Sequence, residues 1–475
     1  MAFTSAAVKV REEAAGLSRA AVTYGVRELA RRAGVPPDLL RSWRIEFEGG
    51  GYVTAYVQPG TNRRFRFRRI SPGNWKEIQS GVIRTSVAAW PSHEVRKPQF
   101  TPNLIVPFSS DARREIGPLF TVSSSECVEC PVDLAASAVL TLSRFEETLP
   151  HRRDEHDRYS AFSSVAWREG FLHRPIVDEW GLALEEALRS LLPNWKPEER
   201  QLRVKLGHDA DVLGIPMRFR TTVAHTLRRP RPDATARDLL SLCVGIDTTY
   251  QRKLRQLVQL ALDRGLPCAA YWKFSKSGRH DTGYDPRDSR IQGMISEFQS
   301  KGIEMGIHPG YQSFRAPERL RAEVHALQEL FGRRRLGGRQ DYVRWSPELW
   351  TEWEALGLAY DASVGFADQL GFRAGTCHPY RPWLTDEDRQ ADLLEIPMVA
   401  MDTTLRGYMK LTGDEALQKL HECVAACRAV GGVFSLVWHN TTMMDSDYSA
   451  TYRKLLDELT GCEGYDWENS SDAIQ

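Results

Sequence analysis

No stretch of the 475-residue sequence is apolar for long enough to cross a bilayer, because charged side chains interrupt every run before the roughly 18 residues that a span requires. No membrane span is therefore expected. The first twenty residues, MAFTSAAVKVREEAAGLSRA, also lack the apolar run of roughly 7–15 residues that an export signal needs, so the chain reads as cytoplasmic. An excess of one charge is missing too. Lys plus Arg number 63 against 62 Asp plus Glu, a formal charge of +1, which excludes a charge-steered polyanion; no nucleic acid partner is expected. There is no internal repeat and no long low-complexity tract. The eight cysteines make no disulfide framework, since several sit inside apolar runs as reduced thiols would. Cys127 and Cys130 form one CxxC, but no second ligand pair follows at similar spacing, so a structural zinc site is not expected. Cys423 and Cys427 lie one helical turn apart beside His421, and the apolar face Leu417, Leu420 and Val424 explains both by packing.

What is present divides in two. A single core stops growing beyond about 250–300 residues, so a chain of 475 is expected to form two domains. Prolines and charges in RRPRPDATARD, residues 228–238, place the junction there, giving an α+β N-terminal domain over 1–235 and a second domain over 236–475. Upstream, residues 51–57 and 64–70 alternate as strands do, and 132–147 carries the apolar face of a helix. Downstream the alternation is regular. Strands are expected at 242–246, 268–274, 303–307, 342–345, 393–399 and 433–438. Helices fall between them: one presents Leu254, Leu257, Val258, Ala261 and Leu262, another covers 291–299, a third carries Leu320, Val324, Leu327 and Phe331, and a last spans 414–430. Such alternation calls for parallel strands in an α/β barrel or a doubly wound sheet.

In parallel α/β folds, chemistry collects where strands end. Asp247 follows LCVGI, His308 follows IEMGI, Asp341 opens DYVRW and His439 closes VFSLVW. Any one of these could cap a neighbouring helix; four together point to a pocket. Tyr311 and Trp345, next to them, are pocket walls or core. Arg373, His378, Tyr380 and Trp383 share the loop GFRAGTCHPYRPW, either a Pro-ordered structural loop or a surface for stacking on a sugar and holding a charged substrate. Arg144, Glu146 and Glu147 read as helix-surface or interdomain ion pairs, and GRRRLGGR at 332–339 as a solvated loop.

Over residues 240–445 the sequence resembles the NodB-homology polysaccharide deacetylases, through VGIDTTY at 244–250, EMGIHPGY at 304–311, GRQDYVRW at 338–345, GFRAGTCHPYRPW at 371–383 and SLVWHN at 435–440. PVDLAASAVLTLSRFEE at 131–147 and HDRYSAFSSVAWREGFLHRPIVDEW at 156–180 resemble the N-terminal domain of a bacterial subgroup of these proteins. The resemblance implies a distorted (β/α) barrel that hydrolyses N-acetyl groups on amino sugars, with a divalent metal such as zinc, an Asp base and a His acid. Carried across, Asp247 takes the base position, His439 the acid position, and His308 and Asp341 the metal positions, with Arg339, Arg373, His378, Tyr311 and Trp383 around the substrate. Thr249 stands where a second Asp ligand is expected, Gln312 where a second His would follow, and Asp341 where relatives carry His; neutral Thr and Gln are poor zinc ligands. Three readings stay open: a metal-dependent deacetylase with altered ligands, a metal-free hydrolase using Asp247 and His439 with Arg339 or Arg373 on the oxyanion, and a binding barrel without turnover. The expected substrate is an acylated amino sugar or a related small molecule, as a soluble or lipid-linked precursor.

Overall fold

The computed structural model describes residues 16–91, 103–109, 111, 113–214, 247–275, 278–281, 284–333 and 335–469. Its larger sheet is wholly parallel and curls into a half-barrel. At its centre lies Arg203–Asp209, paired on one side with Cys268–Trp272 and on the other with Val433–Val437. Beyond Cys268–Trp272 the sheet continues through Glu304–Ile307, Gly337–Gly338, Tyr360–Asp361 and Leu394–Glu395; beyond Val433–Val437 it continues to Ala400–Met401. The short strand Glu463–Gly464 pairs with the start of Arg203–Asp209. Helices cover this sheet. Thr249–Leu262 starts from a reciprocal cap between Thr248 and Gln251, and Gly413–Val430 from the same device between Thr412 and Glu415. Each lays its apolar face, Leu254, Leu257, Val258 and Ala261 in the first, Leu420, Val424 and Cys427 in the second, against the strands. Among the described residues, no helix is long and apolar enough to cross a membrane.

The barrel therefore begins upstream of the expected junction at 235/236, because its central strand is Arg203–Asp209. The reason is chemical: RVKLGHD is interrupted by Arg203 and Lys205 and so does not look like a buried parallel strand, which is normally a continuous apolar run. Lys205 is nevertheless buried, its ammonium ion-paired with Glu304 on a nearby strand. The junction segment 228–238 and the expected strand 242–246 lie outside the described residues. Two other expectations change. Residues 341–343 form a tight turn, not a strand, with Tyr342 and Val343 both at positive φ (58° and 55°), a strained setting for bulky and β-branched side chains. Of 393–399, only Leu394–Glu395 pairs.

Inside the curl, the Tyr271 and Tyr360 rings lie against glycine backbone. A Cβ at Gly306 would stand 2.2 Å from the Tyr271 ring, and one at Gly337 1.8 Å from the Tyr360 ring, so both positions require glycine. The two phenol oxygens are 2.9 Å apart. Upstream, an antiparallel hairpin pair, Arg44–Glu48 with Tyr52–Tyr56 and Arg64–Arg68, joins Cys127–Cys130 and Thr121–Ser124 in a five-stranded sheet, and Thr85–Ala89 pairs with Leu104–Pro107 and Glu115–Pro118 in a second. Helices Arg19–Arg32, Leu134–Leu142 and Ile176–Leu191 pack against one another beside them.

Asp361 and Glu395 face each other across two paired strands, both fully buried. Burial raises Asp361 to about 6 and, together with the Asp361 charge, lifts Glu395 well above the carboxylate range, so Glu395 keeps the shared proton. Folded-state values above the unfolded ones mean that this pair's contribution is complete below about pH 4 and is lost as pH rises through the folded values, at about 1.4 kcal/mol per unit of separation. We expect Glu395→Gln to flatten that loss and to be relatively more stable than wild type at pH 8, read from urea midpoints across pH. A parallel decline in the variant would reject the shared-proton account.

Candidate active site

Six neighbouring strands lead into seven polar side chains of a single cluster. In spatial order, Gly337–Gly338, Glu304–Ile307, Cys268–Trp272, Arg203–Asp209, Val433–Val437 and Ala400–Met401 lead into Asp341, His308, Lys273, Asp209 with Asp211, His439 and Asp402. This is the carboxyl end of a parallel sheet, where loops can converge over several strands at once. His308, Asp341 and His439 were expected there, and the structure brings them together.

Asp209 is held by Arg339, whose Nη1 donates to Asp209 Oδ1 at 2.7 Å while Nε donates to the Ala362 carbonyl at 3.0 Å and the guanidinium lies over the Tyr271 ring. Two residues on, Asp211 is the cluster's opening to solvent, its side chain 26% exposed when those of Asp209, His308 and Asp341 are at most 3%. Burial works against its ionisation, but Lys273 and His308 outweigh that and hold its carboxyl well below the usual range. His308 Nδ1 lies 2.6 Å from the Arg339 carbonyl, which assigns the proton to Nδ1 and turns Nε2 toward Asp211 Oδ1 at 3.0 Å and Asp341 Oδ1 at 3.3 Å. Although burial lowers the His308 pKa, the Asp209 and Asp211 carboxylates raise it to about 10. Asp341 is aimed by the strained turn: its Oδ1 accepts from the Tyr342 amide at 3.0 Å and its own amide donates to the Pro309 carbonyl at 3.1 Å.

Across the cluster, His439 is oriented by Asp402. The two share a 2.6 Å contact at Nδ1, and the His439 amide donates to the other Asp402 oxygen at 2.8 Å. Nε2 then points at Asp211 Oδ2, 3.5 Å away, and Asp209 Oδ2, 3.7 Å away. Burial alone would lower this imidazole's pKa, but the Asp402 charge overrides it and raises the value to about 9. Between the two histidine arms stands Lys273, its Nζ 2.9 Å from both Asp211 Oδ1 and Asp341 Oδ2 and 3.6 Å from Asp281 Oδ1. One wall of the cluster is aromatic. His156, from the upstream half, packs its ring against His280, Tyr311 and Tyr342 at 4.8–5.9 Å, and its Nδ1 lies 3.3 Å from the Tyr311 hydroxyl. Arg158 braces the same wall through the Tyr342 carbonyl and the Tyr408 hydroxyl.

Several expected site residues lie elsewhere. Asp247 precedes helix Thr249–Leu262 and is ion-paired with Arg255 of that helix; the aspartate that ends the central strand is Asp209. Thr249 is the first residue of that helix and Gln312 accepts from Arg319 on the surface, so neither bears on the ligand set. Arg339 is buried against Asp209 and orients it. Arg373 is sealed against Glu147, one of the residues of LSRFEE for which ion pairs were expected. His378 Nε2 rests on the Val430 carbonyl, near where strand Val433–Val437 begins and so at its far end from His439. The Trp383 ring packs on Tyr24, 5.3 Å between centroids, and the Tyr380 hydroxyl donates to Leu142. Tyr311 does border the cluster. Missed were Asp209, Asp211, Lys273, Asp402 and His156; the signal for the first two was plain, an Asp-x-Asp closing KLGHDAD, but it fell on the wrong side of the assumed junction.

Asp211, His308 and Asp341 offer ligand atoms within 4.8 Å of one another, a donor set of the right chemistry for a divalent ion. Lys273 spoils the fit. An ion bonded to Asp211 Oδ1 at about 2.1 Å could lie no more than about 5 Å from Nζ, because Nζ is 2.9 Å from the same oxygen. At an effective dielectric constant of about 20, two unit charges 4 Å apart repel by about 4 kcal/mol, and a dication faces about twice that. The residues present do not fit a resident divalent metal.

A profile described as a family of unknown function, DUF7033, matches residues 69–193, all upstream of the strand that carries Asp209. No curated protein matches the chain. Among solved structures, a protein from Mycobacterium smegmatis provisionally named a polysaccharide deacetylase is similar at 17% identity and a TM-score of 0.40, covering 57% of this chain and 89% of that one. Another, from Bordetella bronchiseptica, provisionally named a polysaccharide deacetylase involved in O-antigen biosynthesis, is similar at 13% identity and a TM-score of 0.31 over the same shares. At such scores the account of the fold rests on strand order alone.

Proposed function

We propose that this chain is a hydrolase of a non-peptide amide C–N bond, removing the acyl group from an acylated amino sugar or a related small molecule. One observation carries the reading: an imidazole fixed by a buried carboxylate points its free nitrogen at two further carboxylates, beside the cluster's opening to solvent at Asp211. Asp209, ion-paired with Arg339 through its other oxygen, accepts a proton from water as the water oxygen attacks the acyl carbon. His439, charged at neutral pH, donates its Nε2 proton to the amine nitrogen as the C–N bond breaks, leaving a carboxylic acid and a free amine. Asp402 holds the ring and stabilises its charge. The ring wall of His156, His280, Tyr311 and Tyr342 supplies flat surfaces of the kind that line small-molecule sites, suited to the face of a pyranose. No step is routed through a metal.

The rival is a barrel that binds such a ligand without turnover, favoured by the fact that Asp209 and Asp341 are already ion-paired. Acetate release by the purified chain from a panel of N-acetylated amino sugars separates the two: release supports the hydrolase, while binding without release supports the rival. Asp402→Asn preserves shape but not charge, and is expected to lower kcat by about 10²–10⁴-fold with little change in KM. An unchanged kcat would remove His439 from the chemistry.

A further inference from the structure

We infer that the Lys273 ammonium is the resident cation of this cluster, standing in place of a divalent metal ion. The inference bears on turnover only if the site is the hydrolytic centre proposed above; its electrostatic content does not depend on that reading.

Lys273 follows strand Cys268–Trp272, which lies between the strands that lead into Asp211 and His308. Its backbone amide donates to the Tyr284 hydroxyl at 3.0 Å, which fixes the strand end, and the residue is 2% exposed. An ammonium has three donors and no acceptor, and three carboxylates surround this one: Asp211 Oδ1 and Asp341 Oδ2 at 2.9 Å and Asp281 Oδ1 at 3.6 Å. Asp281 is itself anchored, accepting from Ser275 Oγ at 3.3 Å and from the Tyr311 amide at 3.1 Å. The lysine thus ties both sides of the cluster to the aromatic wall. Two of its partners, Asp211 and Asp341, are also two of the three groups that cluster as metal ligands, with His308 the third. A metal would join the same two carboxylates, neutralise them and hold them at fixed separation. The lysine does each of these from within the chain, and being compact and strongly hydrated as a free group, it is kept here by carboxylates that no other cation then needs to neutralise.

The bland alternative is a buried ion pair that leaves metal binding to His308 and the carboxylates unaffected. Metal content and Zn²⁺-dependent melting of the full-length chain decide between them, without reference to activity. Wild type is expected to carry far less than one Zn²⁺ per chain after dialysis against it, and to melt at the same temperature with Zn²⁺ or with chelator. Lys273→Ala is expected to bind Zn²⁺ roughly 100-fold more tightly and to melt higher with the ion than without it. Lys273→Arg, which keeps the charge, is expected to exclude Zn²⁺ as wild type does. One chelator-removable Zn²⁺ per chain in wild type overturns the inference, as does a folded Lys273→Ala that takes up no more than wild type, or a Lys273→Arg that takes it up as Ala does. If Lys273→Ala folds only with Zn²⁺ present, that supports it; if it folds under neither condition, the wild-type and Arg measurements decide. Acetate release is scored separately, so the hydrolase reading can fail while this one stands.

Discussion

Asp209→Asn is expected to lower turnover by roughly 10²–10⁴-fold, whereas Asp247→Asn is expected to leave it within about twofold. The pair is informative because the sequence pattern put the base at Asp247, yet Asp209 is the one that meets the cluster. Asp209 Oδ2 lies 3.7 Å from His439 Nε2 and 3.9 Å from His308 Nε2, with its other oxygen on Arg339. Asn cannot accept the water proton, and it leaves the Arg339 charge buried beside a neutral amide, a change that itself costs stability. The fold of Asp209→Asn therefore needs checking by circular dichroism and by ligand binding before kcat is compared. Asp247, half-exposed and paired with Arg255, has no such duties. A large loss in Asp247→Asn with none in Asp209→Asn would return the base to the position that the sequence motif first suggested.

The second large effect is structural. Arg373→Met should cost about 3–5 kcal/mol, seen as a lower urea midpoint, because it strips the bidentate one of two guanidinium partners from a fully buried Glu147 and leaves Arg144 alone against it. Arg373 donates through Nε and Nη2 to the two Glu147 oxygens at 2.8 and 2.5 Å and through Nη1 to the Gly365 carbonyl at 2.8 Å, and its guanidinium faces the Trp345 ring. Arg144 reinforces the same carboxylate and bonds the Arg373 carbonyl. Burial opposes ionisation of Glu147, and the two guanidinium groups overcome it. For contrast, Arg264→Ala, which breaks a largely solvated pair with Asp457, should shift stability by no more than about 1 kcal/mol. Equal effects from the two substitutions would mean that Glu147 is hydrated or re-paired when Arg373 is gone.

The regular part of the fold was legible because its strands obey simple rules. Cys268–Trp272, Glu304–Ile307 and Val433–Val437 are short apolar runs between helices with clear apolar faces, and the polar residues just beyond them, His308 and His439, fell into place. What failed was anything decided by a partner distant in sequence. Arg203–Asp209 hides its strand character behind Lys205, acceptable inside only because Glu304 meets it. Lys273 fell inside the expected strand 268–274 with nothing nearby to announce Asp211 and Asp341. Arg373 read as a loop residue able to hold a substrate, whereas Glu147, from the other half of the chain, lies against it. Asp402 gave no local cue, since its role is defined by His439 alone. Charged residues change meaning with their neighbours, and tertiary neighbours are what a sequence read in windows leaves out.

The central strand has a practical consequence. A fragment cut at residue 236 would lose the plank on which both Cys268–Trp272 and Val433–Val437 hang, and with it the His156 ring that packs on Tyr342 beside the cluster. Neither half can be borrowed as a ready-made module; grafting, truncation or library design on this protein has to carry the upstream and downstream parts as one inherited unit.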